Sequence, residues 1–136
     1  MKAELEPFQG TWRFIPQLSS MYSPVPHSWV QEIIAGPDLV AVREEIVKSD
    51  GTELVLRVRA RFDGVDYPVE GSHAVDTIAY TRADRHSICG IGKKDGRVSY
   101  TSTVLADPEE RKLTLIYSYL FGERTFAHGV AVFQAA

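Results

Sequence analysis

Apolar and polar positions alternate with a period of two along most of this chain, and turn residues break the alternation about every 8–12 residues, so the pattern predicts strands rather than helices. The first strand is "GTWRFI", and "LSSMYSPVPH" after it has two prolines and no alternation, which predicts a loop or a short irregular helical turn. "SWVQEIIA", "LVAVREEIV" and "ELVLRVRARF" follow, joined by Gly36-Pro37-Asp38 and by "KSDGT" as hairpin turns. "RFDGVDYPVEGSHAVDTIAY" then reads as a strand end, a turn at Asp63-Gly64, a short strand "DYPV", a second turn at Gly71 and a new strand "DTIAYTR". "HSICGIGK", "RVSYTSTVL", "LTLIYSYLF" and "RTFAHGVAVF" complete about ten strands in simple sequence order.

Consecutive antiparallel strands in this number close on themselves, because closure removes the two edges that would otherwise pair with other chains. The expected fold is therefore all-β: one domain over residues 1–136, an antiparallel up-and-down β-barrel of about 8 to 10 strands with room inside for a small ligand. Strand phase names the candidate lining. Val98, Tyr100, Ser102 and Val104 share one face, as do Leu113, Leu115, Tyr117, Tyr119 and Phe121, and as do Phe126, His128, Val130 and Val132. With these faces inward, Tyr100, Tyr117, Tyr119, Phe126 and His128 form an apolar site with a few polar groups, the usual make-up of a small-molecule pocket. The assignment depends on phase, since a slip of one residue turns every side chain outward.

Composition narrows the picture. The 136 residues are 44% hydrophobic and 24% charged, as in ordinary globular domains. The net charge is −3, with no basic block, which argues against nucleic acid as a partner; Arg57, Arg59 and Arg61 share one strand face and read as a solvated outer surface. The single cysteine, Cys89, offers neither an internal disulfide nor a zinc motif, and reads as a small apolar strand residue. No apolar run approaches a membrane span and the first ten residues lack a signal-peptide core, so a cytoplasmic protein without membrane insertion is expected. A homodimer is left open, with the edge near "ELVLRVRARF" as the place for self-association.

The opening "FQGTWRF", with Phe8, Gly10 and Trp12, resembles the Phe-x-Gly-x-Trp start of lipocalin and fatty-acid-binding (calycin) barrels. The ordered strings FDG-x-DYPV-x-GS, DT-x-x-x-x-R and KKDG, with a terminal "VAVF", resemble a bacterial lipocalin-like family of small proteins, over most of the chain from Phe8 to Phe133. The resemblance implies a lipocalin-like barrel that binds a small hydrophobic or amphipathic molecule. A tryptophan at position 12 is large enough to plug one end of such a barrel, with a cation over its ring; Arg124, opening the last strand, is the candidate partner. His73, after "EGS", stands where such relatives tend to carry proline or a small polar residue, so the resemblance assigns it no role; it reads as a rim residue.

No motif for a named chemistry is present: no G-x-S-x-G elbow, phosphate-binding glycine loop, H-E-x-x-H or calcium loop. Catalytic residues stay unassigned, and no metal or cofactor is expected from motifs. The glycines of "CGIGKKDG" precede no helix and read as easing a bend in a strand. His27, in the proline-rich loop, and His86, after a turn, read as exposed, leaving His128 as the histidine of interest. Three alternatives to ligand binding remain. A likeness to nitrobindin-like barrels, which use a histidine near the C-terminus, implies haem held by His128. An isomerase or cyclase would pair His128 with a tyrosine as acid and base. A structural or interaction barrel would have no accessible interior. Asp76 and Glu44 are the carboxylates that such chemistry has at hand, although Asp76 also reads as a turn-ending cap and Glu44 as a solvated strand residue.

Overall fold

The structure, a computed structural model, describes residues 6–21, 24–121 and 124–136. The strands are β1 (Gly10–Phe14), β2 (Ser20–Met21), β3 (Ser28–Ala35), β4 (Leu39–Val47), β5 (Glu53–Arg61), β6 (Tyr67–Glu70), β7 (Thr77–Asp84), β8 (Ser87–Lys94), β9 (Arg97–Asp107), β10 (Lys112–Phe121) and β11 (Arg124–Ala135). Ten of them, β1 and β3 to β11, pair antiparallel in chain order, and β1 also pairs with β11, which closes the barrel. This is the expected all-β, up-and-down architecture, and it is consistent with a calycin-like fold. The proline-rich segment contains one 3-10 turn (Pro16–Leu18) and the two-residue β2, which adds to β11 at Gly129 and Val130. Among the described residues no helix is long and apolar enough to cross a membrane.

Local chemistry explains the connections. Asp95 and Gly96, both at positive φ (52° and 77°), form the two-residue turn between Lys94 and Arg97, a conformation that matches the twist of the strands it joins. The Asp76 carboxylate accepts a hydrogen bond from the Asp95 amide at 2.8 Å and one from Lys94 Nζ at 3.0 Å. The Ser99 hydroxyl donates to the Ala74 carbonyl at 2.9 Å. Asp76 of the DT-x-x-x-x-R string and Lys94-Asp95 of KKDG are thus two sides of one contact. His73 is exposed in the loop between β6 and β7.

One end of the barrel is packed solid. Phe8, Leu113 and Phe133 are fully buried, with Trp12, Phe14, Ile33, Val40 and Ala60 around them. The Trp12 indole N–H donates to the Phe8 carbonyl at 3.0 Å and so ties the segment before β1 across this end. The cation here is Arg82, whose guanidinium lies 5.3 Å from the Phe8 ring centre and 5.5 Å from that of Phe62. The expected pairing of Arg124 with Trp12 is corrected. Trp12 pairs with Ala135, the last residue of the 12-residue strand that Arg124 opens, so the two lie at opposite ends of β11. Arg57, Arg59 and Arg61 are exposed on the outer face, as their phase predicts.

Candidate functional site

Beyond the packed end, a carboxyl group faces inward. In β4, Val40 and Val42 alternate toward the interior, and the same phase carries Glu44 and Ile46; Arg43 and Glu45 point outward and pair at 2.7 Å. Glu44 lies in register with Gln31 of β3 and Leu56 of β5. Trp29, two residues before Gln31 on the same face, donates its indole N–H to Glu44 Oε1 at 2.8 Å. The indole is held for this contact by an aromatic cluster: its ring meets Phe133 edge-on at 4.9 Å and Phe14 at 5.6 Å. The packed end of the barrel therefore orients the one donor seen on Glu44.

Four tyrosines line the interior on β7, β9 and β10, and three of them, Tyr80, Tyr100 and Tyr119, lie close enough to Glu44 to feel its charge. Tyr80 (β7), Gly90 (β8), Ser102 (β9), Tyr117 (β10) and Gly129 (β11) form one continuous row of register partners. In the next row Gly92, Tyr100, Tyr119 and Ala127 follow one another. In both rows small residues flank the tyrosines. A methyl group on Gly129 would stand 2.5 Å from the Tyr117 hydroxyl, and one on Gly90 would stand 2.7 Å from Ser102 Oγ and 3.2 Å from the Tyr80 ring. These inward glycines leave the space that the tyrosine rings occupy, a more specific role than easing a bend. Tyr100 and Tyr119 lie 5.0 Å apart and Tyr117 meets Tyr119 edge-on at 5.8 Å.

Glu44, Tyr80 and Tyr100 are each only half-buried. Because all three stand in the inward phase of their strands, the surface they expose lines a hollow inside the barrel. Val42, Ile46, Leu54, Leu56 and Val69, also inward in phase and only half-buried, give this hollow an apolar lining. Burial raises the Glu44 pKa above its ordinary 4.5, and the Trp29 hydrogen bond opposes only part of that effect. Burial also raises Tyr80 and Tyr100, and pushes Tyr119 up to about 12; the negative charge of Glu44 adds to all three. The site thus offers neutral phenol donors and one carboxyl able to hold or release a proton toward a ligand.

The carboxyl makes a pH prediction. A group with a raised folded pKa binds its proton more tightly in the folded chain, so its contribution is fully present below the unfolded value of about 4.5 and is lost as pH rises through the folded pKa. Glu44→Gln should therefore match the parent protein in acid and become progressively more stable than it as pH increases. Urea midpoints of both proteins across pH measure this difference, and a difference independent of pH would show that burial is not acting on Glu44.

Tyr100, Tyr117 and Tyr119 are brought together on the interior face, as their phase predicts. His128 is not with them. In β11 the buried positions are Ala127, Gly129, Ala131 and Phe133, while His128 is exposed on the outer face, beside a shallow groove of about 380 Å³ that Ser20, Met21, Ile116 and Val130 also line. The inward phase expected for this strand is corrected, and the physical reason is the room taken by the β10 tyrosines, opposite which only small residues fit. The side chain of Phe126 lies outside the described residues. An imidazole over a haem, or exchanging protons with an enclosed substrate, needs His128 inside, and the strand does not place it there. Glu44, a carboxylate at hand in the sequence but also read there as solvated, is inside, as the alternation Val40, Val42, Ile46 signals; Trp29, Gln31 and Tyr80 are site residues that the sequence reading did not single out. Among the described residues no group of three or more His, Cys, Asp and Glu is placed to hold a metal ion. Compared with protein-family models, with curated proteins and with solved structures, the chain matches none of them.

Proposed function

We propose that this protein binds a small amphipathic molecule inside its barrel, with the apolar body against Val42, Ile46 and Leu56 and the polar group at Glu44 and the tyrosines. The observation that carries this reading is a carboxyl group, fixed by Trp29 Nε1–H at 2.8 Å, facing a hollow whose other lining groups are uncharged and mostly apolar or phenolic. A carboxyl in such surroundings is costly for stability alone, and costly buried groups mark functional sites more often than scaffolds. Tyr100, Tyr117 and Tyr119 are proposed as ligand contacts, and membership in the bacterial lipocalin-like barrels is proposed from the ordered motifs together with the closed sheet.

An uncharged phenylnaphthylamine dye that fluoresces in apolar surroundings tests the reading. One dye per chain should bind, and Leu56→Trp, which fills the hollow beside Glu44, should weaken it by roughly tenfold or more. Ile34→Trp, on the exposed outer face of β3, should leave the titration unchanged. Equal loss in both variants, or none in Leu56→Trp, would place the dye elsewhere and remove the interior as the site.

A further inference from the structure

We infer that the hollow selects an organic cation, an ammonium group on an apolar body, with the positive charge seated between Glu44 and the rings of Tyr100 and Tyr119. This rests on the binding reading above and specifies its ligand class. Among the described residues that line the hollow, Glu44 carries the ionisable carboxyl and no lysine or arginine accompanies it. Its register partners, Gln31 and Leu56, bring no charge. Arg43, its neighbour in β4, turns outward to Glu45. Arg82 is at the other end of the barrel, in an ion pair with Glu6. A buried carboxylate without a cationic partner is unfavourable unless it takes up a proton or a cation.

Among the described residues the hydrogen bond to this carboxyl comes from Trp29 and reaches Oε1, and so Oε2 is the atom offered to a ligand. The tyrosine rings supply the second element of the site, since an aromatic face attracts a cation, most strongly away from water. An alkyl carboxylate in the same place would meet the charge of Glu44, and a neutral alcohol would forgo the ion pair. The electrostatics thus favour the ligand sign opposite to that of a fatty acid.

Octylammonium, octanol and octanoate, which share one chain length and differ in head group, discriminate these cases when titrated near neutral pH into the unmodified protein. Calorimetry gives affinities, and the Trp29 indole N–H resonance reports whether the head group reaches Glu44. Octylammonium should bind at least about tenfold more tightly than octanol, with octanoate weakest, and should shift the indole resonance. Glu44→Gln, which keeps an acceptor for Trp29, should erase the preference for the cation while octanol still binds. Equal or tighter binding of octanoate or octanol by the unmodified protein would overturn the inference and leave the binding reading standing. So would a preference that survives Glu44→Gln. Failure of all three ligands to bind would overturn both.

Discussion

Gly71→Ala should destabilise the protein by roughly 3 kcal/mol or more, a large effect for one added methyl group. Gly71 follows β6 at a φ of +87°, and a Cβ there would stand 1.9 Å from the Val55 carbonyl oxygen and 3.0 Å from its carbon. Both atoms are backbone of β5, which is hydrogen-bonded to β4 along its whole length, so they cannot yield as a flexible side chain would. Relief requires moving β6, the shortest member of the barrel wall, held to β5 at Arg57–Glu70 and Val58–Val69 and to β7 at two further pairs. The substitution therefore acts where the wall has least pairing to lose. Gly51 provides the control: it has the same φ of +87°, but nothing lies within 4 Å of its missing Cβ. Gly51→Ala should cost only the conformational strain, about 1 kcal/mol. Urea unfolding of the two variants isolates the clash as their difference, and similar midpoints would show that the approach of Gly71 to β5 is not close.

Arg82→Leu should cost about 3–5 kcal/mol, because it leaves a half-buried carboxylate without its cation. The Arg82 guanidinium and the Glu6 carboxylate meet through the two terminal guanidinium nitrogens, and their side chains are only 13% and 17% exposed. The same guanidinium donates to the backbone carbonyls of Gly36 at 3.1 Å and Arg85 at 2.7 Å. One side chain therefore joins the segment before β1, the β3–β4 turn and the β7–β8 turn across the plugged end, with the rings of Phe8 and Phe62 beside it. Lysine would retain the charge but not the planar fork, so Arg82→Lys should recover only part of the loss. The double variant Arg82→Leu, Glu6→Gln should be less destabilised than the sum of the single changes, since neither ion is then left alone. Denaturant unfolding of the full cycle measures this, and strict additivity would mean that the two groups act independently.

The strands were legible in the sequence because each carries its own alternation, and the turns because Asp-Gly, Pro-Asp and Gly-Ser pairs have local conformational preferences. β9 and β10 also disclosed much of their inward faces, since Tyr100, Ser102 and Val104 alternate with Ser99, Thr101 and Thr103, and Leu113, Leu115 and Tyr117 are interrupted by Thr114 and followed by Ser118. β11 did not. Both faces of "TFAHGVAVF" carry apolar residues, and the larger set was expected inside. The smaller set is inside, because the rings of Tyr117 and Tyr119 already fill the space opposite Gly129 and Ala127.

A similar ambiguity hid Glu44. In "VREEI" one of two adjacent glutamates must face inward, yet a carboxylate in an apolar interior is disfavoured by every local rule, so it read as solvated. Its place became visible with Trp29, 15 residues earlier, whose indole N–H reaches it across the β3–β4 pair. Arg82 was present in the DT-x-x-x-x-R string without a role, and only strand direction showed that it, and not Arg124, reaches the end closed by Phe8.

Local alternation, turn chemistry and the number of strands determined that this chain forms a closed antiparallel barrel, because the pleat makes facing a property of each strand by itself. Which face of β11 turns inward, which acid enters the hollow and which cation clamps the plug were decided by the tertiary structure. Those outcomes depend on register and on the volumes of side chains brought opposite one another from distant parts of the chain, and no single strand encodes them.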